Sequence, residues 1–239
     1  MRTEVTASHA TAAAQNFDFG GDIKEIARYG SGHINDTFAV VLADGRRFIL
    51  QRINSHVFKQ PREVMENIQG VTAFLSQSIR KSGGDPARET LNLLPARDGK
   101  PYWVDGDGEY WRVYAFIEGT CSYQIVKDEN DFYQSAVSFG NFMRLLADYP
   151  AATLHETIVN FHNTPDRMRQ LREAIAKNAS GRLAQVQPEI DFVMAREKDC
   201  SFLTDLSLWV TRRGSLPACN RSVRKEQSFS RAMTKSISG

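Results

Sequence analysis

A short run near the N-terminus, Tyr29-Gly-Ser-Gly-His-Ile-Asn-Asp-Thr37, sets two glycines in G-x-G spacing among polar side chains. Gly30 and Gly32 lack a Cβ, so the backbone there can come close to another group. Further on, Phe48-Ile-Leu-Gln-Arg-Ile-Asn54 alternates apolar and polar residues and carries the cation Arg52. A glycine turn whose backbone N–H groups lie over an anion, beside a strand that supplies a positive charge, is suited to the phosphates of a nucleotide. An ordinary hairpin turn next to an exposed strand cation has the same spelling.

The elements that must position these groups follow from periodicity. Asp18 to Tyr29 supplies a first strand, with Ile23, Ile26 and Tyr29 as its apolar positions. Phe38-Ala-Val-Val-Leu42 leads into a turn at Ala43-Asp44-Gly45, and Arg46 to Ile53 returns as a third strand. Pro61 opens a helix, where its missing N–H costs nothing. Val64, Ile68, Val71, Leu75 and Ile79 give that helix a buried stripe, and Ser82-Gly83-Gly84-Asp85-Pro86 stops it. Leu91–Leu94, Tyr102–Asp105 and Tyr110–Ile117 read as three more strands. From Asp128 the period turns helical at Phe132, Ala136, Phe139, Met143 and Leu146, and Pro150 ends it. Leu154 to Pro165 is an irregular linker; Met168–Lys177, Pro188–Arg196 and Cys200–Thr211 read as further helices.

Composition sets outer limits. The chain has 239 residues, 41% hydrophobic and 24% charged, which fits a globular protein with a real core. The net charge of +2 makes no case for nucleic acid, and it is unevenly spread. Residues 213–239 hold six Lys/Arg and one acidic residue, so that segment carries +5 and the remainder −3. Cys121, Cys200 and Cys219 are widely spaced and form no C-x-x-C pair, the pattern of a reducing compartment. Residues 1–16 lack the apolar core of a secretory signal, and no run approaches the length of a membrane span. A cytoplasmic chain without membrane or nucleic-acid partners is the expectation.

Six collinear blocks give the sequence a family likeness. Tyr29–Thr37 and Leu50-Gln-Arg-Ile-Asn54 with Val57-Phe58-Lys59 are the first two. Val64-Met-Glu-Asn-Ile68 and Arg112-Val-Tyr-Ala-Phe-Ile-Glu-Gly119 are the next. Phe139-Gly-Asn-Phe-Met-Arg-Leu-Leu-Ala147, and Leu154-His-Glu-Thr-Ile158 with Asn160-Phe-His-Asn-Thr-Pro165, complete them. Together they resemble the aminoglycoside-phosphotransferase-like superfamily, and within it the N-acetylhexosamine 1-kinase branch, over residues 20–212. The resemblance implies an α+β, protein-kinase-like fold: an antiparallel β-rich N-lobe plus the first helices of an incomplete α-helical C-lobe. It places a disordered N-terminus at 1–17, a nucleotide-binding lobe at 18–119, part of a helical lobe at 120–212 and a tail outside the family pattern at 213–239. It also implies ATP and Mg²⁺ as cofactors, and transfer of phosphate to the anomeric hydroxyl of an N-acetylated hexosamine.

Residue by residue, the resemblance implies that Gly30, Ser31, Gly32, His33, Ile34, Asn35 and Thr37 cover the phosphates, with Asn35 where a protein kinase has its third glycine. Arg52 stands where the phosphate-pairing lysine would be, and a guanidinium suits phosphate oxygens. Glu66 is the candidate helix carboxylate to orient Arg52, although it lies about 160° around the helix from the Val64/Ile68/Val71 stripe. Glu63 lies nearer the stripe, and a solvated face explains either one. Tyr114 to Ile117 would be the hinge, with Phe116 and Ile117 presenting backbone to adenine; a buried edge strand has the same pattern. His155, Glu156, His162 and Asn163 either line a sugar site or cap and tie the linker.

The family pattern then stops. Phosphoryl transfer of this type needs an aspartate to accept the hydroxyl proton and further metal-binding groups, and the sequence has no aspartate after Asp205. Residues 213–239 are instead rich in Ser and Lys/Arg, with no sustained apolar period, and read as disordered. A frame disruption near Pro217 to Cys219 would explain the change and leave an inactive fragment. A basic docking tail on a non-catalytic nucleotide-binding module is the alternative.

Overall fold

Alternating apolar residues in three early segments make a meander, and the computed structural model, which describes residues 5–30, 32, 34–120 and 125–206, shows it. The strands are β1 (Ile23–Arg28), β2 (Asp36–Leu42), β3 (Arg47–Arg52), β4 (Leu93–Leu94), β5 (Trp103–Val104) and β6 (Tyr110–Ala115). They form one antiparallel sheet in the order β1-β2-β3-β6-β4, with β5 also paired to β6. Gly45, at φ 88°, closes the β2–β3 turn in a conformation that only glycine adopts without strain.

Side chains alternate between the two faces of a strand, and here the two faces have different covers. On the first face Phe38, Val40, Leu42, Leu50, Trp111 and Val113 are buried in one cluster with Ala10, Ala13, Ala14 and Phe17. The alanines belong to α1 (Ala7–Ala14). The expectation of a disordered N-terminus over 1–17 is therefore corrected for its described part. Alanine side chains let a helix lie close against the large Phe38 and Trp111 surfaces, and tertiary packing holds a helix that eight residues would not sustain alone. Its ends are tied down: Arg28 Nη2 donates to Val5 O at 3.0 Å, and Arg97 Nε to Gln15 O at 2.9 Å.

The second face carries α2 (Pro61–Lys81). Val64, Ile68, Val71, Leu75 and Ile79 are all buried, as the spacing predicts. The first half of α2 packs with Ile49, Ile53, Phe58 and Tyr114; the second half packs with Phe142, Leu145, Leu146, Tyr149 and Leu154. A short helix, α3 (Pro86–Glu89), follows where only a stop was expected; Asp85 caps it by accepting from Ala87 N.

α4 (Glu129–Leu145) begins at Asp128, whose carboxylate accepts from Asp131 N at 2.9 Å. The helix is where the period places it, but its stripe is not buried: Phe132 is 69% and Phe139 44% exposed. Only its last turn reaches the α2 cluster. The described residues fall into two compact units, dividing between Ile158 and Val159 rather than at the composition change near Gly119. The second unit contains α5 (Thr164–Lys177) and α6 (Gln187–Met194). The proposed tail at 213–239 and the end of the Cys200–Thr211 helix lie outside the described residues. Among the described residues no helix is long and apolar enough to cross a membrane.

Candidate functional site

The register of the sheet sets two parallel rows of side chains on the α2-bearing face. One row runs Tyr29, Thr37, Gln51, Arg112: Tyr29 N donates to Thr37 O, and Thr37 pairs with Gln51 and Gln51 with Arg112 across the strands. The next row runs Ala27, Ala39, Ile49, Tyr114. At the β1–β2 end of this face Ala27 and Tyr29 are exposed and Thr37, Ala39 and Val41 half-buried, and the Tyr29 ring meets the Phe116 ring edge-on at 5.6 Å between centroids. Two alanines side by side make a flat floor there.

The polar row is wired together. Gln51 Nε2 donates to Thr37 Oγ1 at 3.0 Å, which turns the Gln51 carbonyl oxygen toward β6. That oxygen accepts from Arg112 Nε at 3.1 Å and Nη2 at 2.9 Å. Arg112 is only 1% exposed. Its remaining contacts are Met65 Sδ, 3.8 Å from Nη1, and the Tyr114 ring, whose centroid lies 5.0 Å from the guanidinium carbon. Burial pushes the Arg112 guanidinium down from its ordinary value and the Tyr114 hydroxyl up.

Gly30 follows Tyr29, the β1 end of this row. Gly30 has φ 76°, in the left-handed region, and a Cβ at either Gly30 or Gly32 would meet open space. The loop therefore has glycine for backbone shape at Gly30, not for packing. Ser31 and His33 lie outside the described residues. Ile34 and Asn35 anchor the loop's far shoulder to the end of β3: Asn54 N donates to Asn35 Oδ1 at 3.0 Å, and Asn54 Nδ2 to Ile34 O at 2.9 Å. Asn35 thus ties loop to strand at the position of a third glycine.

The expected pair of Arg52 with Glu66 does not form. Arg52 shares strand parity with Phe48 and Leu50, so it projects from the α1-covered face, while Glu66 belongs to the helix on the other. Arg52 donates from Nε and Nη2 to Asp36 Oδ2 at 3.0 and 2.9 Å. Glu66 pairs with Arg62 at 2.8 Å and with His155 Nε2 at 2.7 Å. The Arg62 guanidinium foremost, and His155 after it, hold the Glu66 carboxyl below its ordinary value. The α2 residue that meets the buried cation is Met65, not a carboxylate. Sequence reasoning missed Gln51 and Arg112. The signal was available in parity, since Ile49, Gln51 and Ile53 share a face and Arg52 does not.

At the hinge, Phe116 N donates to Arg47 O at 3.1 Å, and Ile117 O accepts from Thr120 Oγ1 at 3.1 Å. Arg47 stacks over the Phe116 ring at 4.0 Å and pairs with Glu118. Two of the linker residues make local hydrogen bonds. His155 N and O bond reciprocally to the buried Asn67 amide at 2.9 Å. In the second unit Asn163 is the N-cap of α5, accepting from Asp166 N at 3.0 Å. Asn163→Ala should therefore cost about 1 kcal/mol of helix stability, read as a loss of α5 protection in amide hydrogen exchange. Among the described residues no three His, Cys, Asp or Glu side chains gather as a metal site.

The hairpin-rich antiparallel sheet, the long helix after β3 and the helices that follow define the kinase-like α+β fold of the aminoglycoside phosphotransferases. No protein-family model matches the chain. Among solved structures, a spectinomycin phosphotransferase in complex with ADP and spectinomycin is similar at 10% identity and a TM-score of 0.51, over 92% of this chain and 61% of that one. An aminoglycoside phosphotransferase from Alicyclobacillus acidocaldarius is similar at 15% identity and a TM-score of 0.46, over 72% of this chain and 44% of that one. An amicoumacin kinase in complex with AMP-PNP and Ca²⁺ is similar at 12% identity and a TM-score of 0.42, over 61% of this chain and 41% of that one. The chain spans less than two thirds of the length of each of these three neighbours.

Proposed function

We propose that this chain is the nucleotide-binding part of a cytoplasmic, ATP-dependent sugar kinase of the N-acetylhexosamine 1-kinase type. One observation carries the reading: a sheet face with an alanine floor, a wired polar row and a Gly30 loop at the end of that row. A planar base takes the Ala27/Ala39/Ile49 floor once the Tyr29 ring turns away from Phe116, and polyphosphate takes the loop and the Thr37–Gln51 end of the row. Among the described residues no hydrogen bond engages Phe116 O or Ile117 N. They are the backbone groups left to read an adenine edge.

The branch assignment and the sugar rest on the six collinear sequence blocks. On this reading residues 1–239 bind nucleotide, and because residues 206–239 hold no aspartate to accept the sugar proton or a metal, these residues alone do not transfer phosphate. A C-terminal portion altered by frame disruption is part of the same proposal.

Two measurements test it on the full chain. ATP at a hundredfold excess over its Kd should stabilise the fold by about 2.7 kcal/mol, seen as a rise in melting temperature. ATP, Mg²⁺ and N-acetylglucosamine or N-acetylgalactosamine should give no sugar phosphate above background. A melting curve indifferent to ATP sinks the nucleotide reading; turnover sinks the inactivity.

A further inference from the structure

A fully buried arginine without a carboxylate is costly to keep, because desolvation of the cation is not repaid by an opposite charge. Arginines of the sheet and its β2–β3 turn have one: Arg47 has Glu118, Arg46 has Asp44, and Arg28 and Arg52 share Asp36. Among the described residues Arg112 has a glutamine oxygen, a thioether and an aromatic ring. Among the described residues no opposite charge meets it, and it lies one strand from the β1–β2 end of the face. Low-dielectric surroundings leave such a charge poorly screened.

Resting on the nucleotide reading above, we propose that Gln51 is the β3 side chain that contacts the nucleotide's phosphates, and that buried Arg112 is its positioning residue and the source of the compensating charge. Arg112 fixes the Gln51 carbonyl inward, so the Gln51 amide N–H₂ faces the loop side, where Thr37 Oγ1 now accepts from it. The triphosphate supplies the anion that Arg112 lacks. Arg52, neutralised by Asp36 on the opposite face, takes no part.

The test compares ATP with adenosine, which shares the base and ribose but has no phosphate, by calorimetric titration of the full chain. In Arg112→Met, ATP affinity should fall about 10- to 100-fold, the range for a lost charged hydrogen bond, while adenosine affinity stays within about twofold. Arg112→Lys should recover part of the ATP preference. Gln51→Glu neutralises Arg112 in place; it should raise the melting temperature and lower the ATP-to-adenosine affinity ratio, and it decides the matter if Arg112→Met does not fold. An ATP-to-adenosine ratio unchanged in the folded variants overturns the proposal and leaves Arg112 structural. Absence of ATP binding by the unaltered chain overturns the nucleotide reading itself, and this proposal with it.

Discussion

Deleting residues 1–16 should abolish the cooperative melting of the sheet. The deletion removes α1, whose Ala10, Ala13 and Ala14 share one buried cluster with Phe38, Leu50 and Trp111, 1%, 0% and 1% exposed in the folded chain. Full burial of each such side chain is worth about 1.5–3 kcal/mol, and a domain's whole stability is only about 5–15 kcal/mol. Three large side chains returned to water therefore approach the total. The deletion also strips Arg28 and Arg97 of their acceptors at Val5 O and Gln15 O. Ala13→Asp offers a check that keeps the chain length: Ala13 is 1% exposed, and a carboxylate there has no charge partner in its cluster. It should cost more than about 4 kcal/mol, the range of buried unpaired charges. The readout is thermal unfolding followed by circular dichroism. A truncated chain melting within about 2 °C of the full one, a shift smaller than 1 kcal/mol produces in a domain of this size, would mean that α1 is dispensable and the sheet face is covered some other way.

What the sequence discloses and what it hides follow from the kind of signal each element emits. The β1–β3 meander and α2 are legible because large aliphatic residues mark their buried faces at period two and at helical spacing. Val64, Ile68, Val71, Leu75 and Ile79 name a stripe, and all five are buried. α1 is hidden because its buried face is alanine, which carries little hydrophobic signal; what stabilises it is the shape of the sheet beneath. α4 shows the opposite failure. Its period is clear, yet Phe132 and Phe139 remain exposed, because periodicity reports which face could be buried and not whether another element covers it. At the site, the glycine turn is legible as a motif, and Gly30 takes a left-handed φ. Arg52 turns to the α1-covered face instead, since a one-position change along a strand moves a side chain to the other side. Arg112 stands in one of the six blocks, but its bond to Gln51 depends on a β3–β6 register that only the fold supplies.

Arg52→Met separates the two arginines by their effects. Arg52 and Asp36 are direct cross-strand partners, with side chains 7% and 16% exposed and two hydrogen bonds to one carboxylate oxygen. Removing one member of a buried pair costs about 3–5 kcal/mol, because the other charge stays behind. Arg28 still reaches Asp36 at 3.3 Å, but its own side chain is 54% exposed, so it offsets little of that cost. The expected result is a large fall in melting temperature, with the ratio of ATP to adenosine affinity unchanged when binding is measured below the transition. Asp36→Asn added to Arg52→Met should recover part of the loss, because the stranded carboxylate is then gone; the double-mutant cycle isolates the pair. If Arg52 instead faced the phosphates, the variant would lose ATP affinity selectively and the second substitution would not restore it. A buried pair with Asp36 on one face, and a buried cation bonded to the Gln51 oxygen on the other, are two uses of the same residue type. Strand parity decides which arginine has which.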